Sequence, residues 1–266
     1  MINIKIYKIK IISTILLSYC LLAGFMCFGF VGCSFSLKDP PRYDFDYKEF
    51  NCCYVKSATS NRFVSKESAI GVNVLNFIET KKRWDRVIIP ETINGLPVIA
   101  IGMAQIGWSS TLEGYFDKIY LPATLQYCSP YDIFWNKTIF LMDKQEGKLM
   151  ENRKLLINRR LASTAGAKFV VFESMYDWYQ EFFVPESSTL VIANLTYIVD
   201  GVEYWMDDCI DGQYILEPPI PSKDGCVFDG WYSEENFLNK WDFSVNQYIE
   251  PQDGVSLKLY AKFIIK

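Results

Sequence analysis

Two short stretches near the end of the chain constrain its fold most: Gly225-Cys226-Val227-Phe228-Asp229-Gly230-Trp231-Tyr232 and Leu257-Lys258-Leu259-Tyr260-Ala261-Lys262-Phe263. The first reads as a short strand carrying Val227 and Phe228, closed by a glycine that frees the backbone ahead of the bulky Trp231-Tyr232 pair. In the second, Leu257, Leu259, Ala261 and Phe263 fall on one face and Lys258, Tyr260 and Lys262 on the other. That period of two is the signature of a half-buried strand. A domain of about 70 residues has little core to spare. Trp231 and Phe263 are therefore expected to be its largest hydrophobic contributors.

The residues around these strands are organised to match. Leu195, Tyr197 and Val199 alternate, Asp200-Gly201 is a hairpin signal, and Val202, Tyr204 and Met206 continue the alternation. Asp211-Gly212-Gln213, then Pro218, Pro219 and Pro221, lead to the turn Lys223-Asp224-Gly225. Ser233 to Leu238 is expected to form one or two helical turns before Trp241-Asp242-Phe243. Gly212 with Pro218, Gly225 through Tyr232, Trp241-Asp242-Phe243 and Leu259-Tyr260-Ala261-Lys262 together resemble the B-repeat of bacterial internalins, the Listeria-Bacteroides repeat. Cys226 stands where that family usually has an aromatic, and Phe263 where it usually has Trp. The resemblance implies a small β-grasp-like module of about four strands and a short helix, found in extracellular proteins as a spacer or binding unit and not as a catalyst.

Upstream the chain repeats itself. Arg86-Val87-Ile88-Ile89-Pro90-Glu91-Thr92-Ile93 aligns without gaps on Lys118-Ile119-Tyr120-Leu121-Pro122-Ala123-Thr124-Leu125, 32 residues later. Each copy is a basic residue, a short apolar strand, a proline that ends it, then Thr and an aliphatic. A third copy, 50 residues on, is Lys168-Phe169-Val170-Val171-Phe172-Glu173-Ser174-Met175, with Phe172 in place of the proline. Three copies are about the minimum for a solenoid to bury a continuous core. Val87 through Gly102 and the shorter Ile119 to Leu125 unit resemble bacterial surface leucine-rich repeats of the BspA-like type. The third unit, running into Tyr176-Asp177-Trp178-Tyr179, resembles the terminal copies of such arrays. The resemblance implies a short solenoid with one strand per turn, and spacings of 32 and 50 require insertions to loop out. The plain alternative is three strands of an ordinary β-rich domain.

The start of the chain carries an address. Lys5, Lys8 and Lys10 precede an apolar run from Ile11 to Val31, a positive segment followed by a hydrophobic one. The run is also long enough to cross a bilayer uncleaved. Phe30-Val31-Gly32-Cys33 resembles the lipobox of bacterial lipoproteins, with Phe30 where Leu is usual. The resemblance implies cleavage before Cys33 and attachment of a diacylglyceryl group to its sulfur. Ser34 to Tyr43, with Pro40-Pro41, reads as a tether. Strand-like runs appear at Phe50–Val55 and Ala69–Phe77, separated by a polar turn from Ser57 to Arg62, and an N-terminal cap for the repeats is one reading open to them.

Composition narrows the chemistry. Half of the 266 residues are apolar and 16% aromatic, as packed β structure requires. The formal charge is −4, and without Lys5, Lys8 and Lys10 it is −7, so nucleic-acid binding is disfavoured. There is no histidine. Ser-His-Asp triads, Cys-His dyads and His-ligated zinc are excluded within one chain. Cys20 and Cys27 sit in the apolar run; Cys52, Cys53, Cys128, Cys209 and Cys226 are odd in number, so they cannot all pair within the chain. A Cys209–Cys226 bridge is geometrically open, with two separate buried thiols the preferred reading. No Cys-x-x-Cys spacing occurs, and no metal site or cofactor is expected.

Within Asp143 to Ala167, Lys148, Arg153, Lys154, Arg159 and Arg160 lie among Leu149, Leu155, Leu156, Ile157 and Leu161. A solvated helix face is the plainer reading, and a basic amphipathic helix touching anionic lipid or wall polymer the sharper one. Tyr115, Phe116, Tyr120, Tyr131, Phe134 and Trp135 are candidates for exposed stacking surface, but core packing explains them equally well, so none is assigned to binding.

The expected protein is mainly β: a signal peptide with lipobox (1–33), a tether (34–44), a degenerate leucine-rich-repeat solenoid with insertions (45–190) and an internalin-type B-repeat domain (191–266). Its expected role is a non-catalytic binding or adhesion module for extracellular protein or glycan, lipid-anchored at Cys33 on the outer face of a bacterial membrane. The alternatives are a carbohydrate-active enzyme using two of Asp207, Asp208 and Asp211, and a purely structural spacer. Those aspartates read more simply as an acidic turn, or at most a weak calcium loop without EF-hand spacing.

Overall fold

Short apolar runs broken by turn residues make short strands, and the described residues of this chain form nineteen of them with one α-helix. The computed structural model describes residues 44–59, 62–78, 83–102, 104–105, 108–109, 115–128, 136–144, 166–181, 183, 188–252 and 254–266. They belong to one compact unit that begins at residue 43. The apolar run, Cys20, Cys27, the Cys33 lipobox and the Pro40-Pro41 tether lie outside the described residues.

The two N-terminal runs are strands. β1 (Asp44–Tyr47) and β2 (Phe50–Val55) are antiparallel, and β3 (Gly71–Phe77) returns along β2. β4 (Arg83–Trp84), β5 (Val87–Ile88) and β6 (Thr92–Ile93) follow. Asn94 and Gly95 both take positive φ, at 53° and 82°, and turn β6 back as β7 (Leu96–Ile101). Asn and Gly tolerate that pair of angles with least strain. A small hairpin pairs β8 (Ala104–Gln105) with β9 (Trp108–Ser109), after which β10 (Tyr115–Phe116) runs parallel to β4. β11 (Lys118–Leu121) lies beside β5, and β12 (Tyr127–Cys128) beside β7. β13 (Thr138–Leu141), β14 (Lys168–Val171), helix α1 (Glu173–Gln180) and β15 (Thr189–Ile192) complete this half. The helix buries Met175, Trp178 and Tyr179, spaced three and four apart, on its inner face.

The repeated motif becomes a parallel sheet in sequence order: β5, β11, β13, β14 and β15. Val87, Ile119, Ile139, Phe169 and Leu190 share one register position, at steps of 32, 20, 30 and 21 residues. The 50-residue gap in the sequence pattern therefore holds one more strand, β13. Proline follows the first two strands as expected: Pro90 after Ile89, and Pro122 after β11. Because side chains alternate faces, Ile119, Ile139 and Phe169 point into the core, all fully buried. Residues one position on, Ile88, Tyr120, Phe140, Val170 and Val191, line up on the opposite face.

From Leu195 the sheet changes character. β16 (Leu195–Val199) and β17 (Val202–Asp207) form a hairpin on Asp200-Gly201, at φ 50° and 79°. β18 (Cys226–Tyr232) and β19 (Leu257–Ile265) complete a sheet of order β17-β16-β19-β18, with β16 and β19 parallel in the middle. Leu259 and Ala261 are buried while Tyr260 and Lys262 are partly exposed, so the alternation read in this strand is present. A bulge after Phe228 leaves Asp229 unpaired, and Gly230 at φ 152° completes it. A side chain at 230 would meet Lys240 Cε at 2.4 Å, because that lysine crosses the strand to reach the Asp229 carbonyl.

Three expectations are corrected here. Trp231 is buried, but Phe263 is only half-buried, at the edge of the cluster. The alternation along β17 breaks at a bulge: Tyr197 pairs with Trp205 and Ile198 with Glu203, so Trp205 goes inward. Ser233 to Leu238 forms turns and no helix. There the Glu234 carboxylate accepts bonds from Ser233 Oγ, Asn239 N and Asn239 Nδ2, closing the loop locally, with Phe237 at φ 58°.

Candidate binding groove at the seam of the two sheets

The outer face of the parallel sheet is not open to solvent along its length; the antiparallel sheet packs on it. Register puts Tyr120 beside Phe140, and neighbouring strands lie ~4.8 Å apart. The rings stack with centroids 4.2 Å apart and 7° between planes. Trp205 of β17 covers the other side of Tyr120 at 4.5 Å. Three rings thus run in one stack from the parallel sheet into the antiparallel one. Tyr120, named above among candidates for exposed stacking surface, is a core residue for this reason; Phe116, another of them, is buried edge-on to Phe77 at 6.1 Å. Tyr131, Phe134 and Trp135 lie outside the described residues, as does the side chain of Tyr115.

The basic residue that opens each copy of the repeat also faces the seam, one residue to the N-terminal side of the inward position. Lys118 Nζ donates to Asp207 Oδ1 at 2.6 Å and to the Asp208 carbonyl at 2.8 Å. Lys168 Nζ donates to Asp208 Oδ2 at 2.6 Å. Arg86 reaches the carbonyls of Leu216, at 3.4 Å, and Glu217. On the far side Ser174 donates to Glu203, and Lys258 pairs with Glu173 at 3.5 Å. Lys118 and Lys168 therefore hold the acidic turn, and Arg86 holds the segment after it. Nothing in the sequence shows these pairings, because the partners lie 40 to 131 residues away.

This arrangement accounts for the three aspartates. Asp207 is nearly buried and bonded to Lys118, Asp208 is bonded to Lys168, and Asp211 accepts from the Glu250 backbone N–H at 2.9 Å. All three are engaged in structural bonds. The same charges act on their neighbours. Burial, then the Asp207 charge, holds the hydroxyls of Tyr120 and Tyr197 well above the usual tyrosine range. Burial, again followed by Asp207, pushes the Cys209 thiol to about 12, with Lys118 pulling the other way. Cys209 is buried and Cys226 half-buried, and both are unbridged thiols.

At the C-terminal ends of the parallel strands the two sheets part, leaving a groove of about 330 Å³. Ile88, Ile89, Pro90, Pro122 and Met142 form one side; Tyr204, Trp205 and Pro219 form the other. The rim is charged. Glu91 and Lys144 line it, and the Lys144 ammonium lies 5.2 Å from the Tyr204 ring centroid. Partial burial lowers the Lys144 pKa below the ordinary lysine value, while Glu91 and Glu203 pull it back up. Lys144 belongs to the segment whose basic residues Lys148, Arg153, Lys154, Arg159 and Arg160 lie outside the described residues. Among the described residues no cluster of His, Cys, Asp or Glu has the arrangement of a metal site, and no helix is long and apolar enough to cross a membrane.

No curated protein matches the chain. Residues 194–262, which hold Tyr204, Trp205, Asp207, Asp208 and all but the last three residues of the four-stranded sheet, match the Listeria-Bacteroides repeat domain family, a repeat domain of extracellular and surface-associated proteins.

Proposed function

We propose that this protein is a non-catalytic binding module at a bacterial cell surface, held to the outer face of the membrane by a lipid on Cys33, and that it captures an extracellular protein or glycan. The match of residues 194–262 to a surface-associated repeat family supports the location. Five parallel strands in sequence order, with Arg86, Lys118 and Lys168 each one residue ahead of the inward position of its strand, support reading the first half as a short, degenerate leucine-rich-repeat solenoid of BspA-like type. The observation that carries the binding role is the groove at the seam. It is concave, mostly apolar, and edged by a few charged side chains, which is the usual build of a ligand site.

The test is expression of the full chain in a bacterial host, with a Cys33→Ala variant alongside. The expected wild-type product begins at a lipid-modified Cys33, partitions into detergent, and lets intact cells retain extracellular protein or glycan from a defined panel. The variant loses the lipid and the detergent partitioning. An unmodified Cys33 removes the lipid anchor from the proposal. Cells that retain nothing from the panel overturn the binding role.

A further inference from the structure

We propose that the seam groove takes a neutral sugar ring, its C–H face against the aromatic wall and its hydroxyls between Glu91 and Lys144. This deepens the binding role proposed above and rests on it. Five features of the site lead there. The volume of about 330 Å³ is at the small end for ligand sites, which run from ~300 to ~1,000 Å³, and suits one or two rings better than a helix or a folded epitope. On one wall the half-buried Tyr204 presents aromatic surface, whose negative face attracts polarised C–H groups, while Trp205, 7% exposed, adds little to it. A sugar offers such a C–H face together with an edge of hydroxyls.

The rim matches that edge. A hydroxyl both donates and accepts; Glu91 only accepts and Lys144 only donates, so the pair serves either role. Lys144 is exposed at the mouth of the groove, with its ammonium 5.2 Å from the Tyr204 ring centroid. Charge then selects against polyanions. Lys144 is balanced by Glu91 and by Glu203, both close enough to act on it, so a sulfated or phosphorylated ligand meets at least as much repulsion as attraction. The walls are also preformed. They belong to two sheets joined by the Lys118–Asp207 and Lys168–Asp208 bonds and by the Tyr120–Trp205 stack, so little ordering cost falls on binding.

The experiment is saturation-transfer NMR on the full chain with chitobiose, maltose and lactose as neutral probes, and a heparin disaccharide and a proline-rich peptide as the alternatives. Lys144→Gln and Glu91→Gln are made at the rim, where neither side chain supports the core, and both are checked for an unchanged melting profile. The expected result is binding of at least one neutral probe, weakened about tenfold or more in each variant, as loss of a charge-assisted hydrogen bond implies. Binding of the heparin disaccharide or peptide in place of the neutral probes, binding indifferent to both variants, or no binding of any probe overturns the inference. The intact-cell assay separates the two readings. Ligand retained equally by wild type and rim variants leaves the surface-binding role standing and removes the groove from it; nothing retained by wild type removes both.

Discussion

The two sheets that meet at the seam bury their aromatic residues in different ways. In the antiparallel sheet Trp231 is enclosed by its own module: Tyr197 at 4.9 Å, Phe228 at 5.4 Å and Tyr204 at 6.1 Å, with Phe263 behind Phe228 at 5.8 Å. In the parallel sheet Phe140 covers one side of Tyr120, and the other side waits for Trp205 from the module. Within one continuous core, the rings around Trp231 come from its own module and those around Tyr120 from both sheets. A core made by about 70 neighbouring residues keeps its pattern wherever it occurs, and residues 194–262 are the part that a family description matches. A face that relies on a distant partner leaves no such pattern in its own strands.

The largest test of this contrast is Trp231→Ala. Removing a fully buried Trp costs about 4 kcal/mol, and the loss is expected to be local: in urea, amide protection between 194 and 262 falls first, while that between 118 and 171 persists. Simultaneous loss in both sheets shows that the module's core is shared as well. Next are the seam lysines. Lys118→Met leaves Asp207, with 5% of its side chain exposed, without its cation, at about 3 kcal/mol. Lys168→Met touches a lysine 40% exposed and is expected to cost less than about 1 kcal/mol. Equal urea midpoints for the two variants contradict the difference in burial on which the ranking stands.

Alkaline pH sharpens the comparison without mutation. The Cys209 thiol is held protonated in the folded chain, from an ordinary 9.0 to about 12, and the Tyr120 and Tyr197 hydroxyls shift in the same direction. A group whose folded pKa is raised gives stability that is full below its unfolded pKa and lost as pH climbs through the folded one. Stability is therefore expected to begin falling near pH 9, by up to about 1.4 kcal/mol per pH unit for a single group. Cys209→Ala removes the first part of that fall in a pH series of urea midpoints; an unchanged series shows that the thiol is not the group responsible. The smallest effect is the coupling across the seam. A double-mutant cycle of Tyr120→Leu and Trp205→Leu is expected to give about 1 kcal/mol, and a coupling near zero makes the stack a consequence of docking and not a cause.

Much of the local structure was legible in particular residues. Asp200-Gly201 and Asn94-Gly95 turn where their backbone freedom lets them, Pro90 and Pro122 follow strands, and Leu259 and Ala261 face inward between polar neighbours. The strands at Thr138–Leu141 and Thr189–Ile192 were missed, although each is a short apolar run opened by Thr. They carry no following proline, which was the mark of the first two copies. The helix expected at Ser233 to Leu238 failed because Glu234 satisfies backbone and side chain of Asn239 across the loop, a local competitor that helical patterning does not register.

By itself, then, the sequence determined the strands marked by alternation or a following proline, the Asp200-Gly201 turn and the module around Trp231, since those depend on periodicity and backbone freedom within a few residues. Tertiary structure alone decided that Tyr120 is core and not surface, that the repeated cation clamps Asp207 and Asp208, and that a groove opens between Glu91 and Lys144. Each of these joins residues far apart in the chain, and side-chain alternation says which two faces a strand has but not which one another sheet will cover.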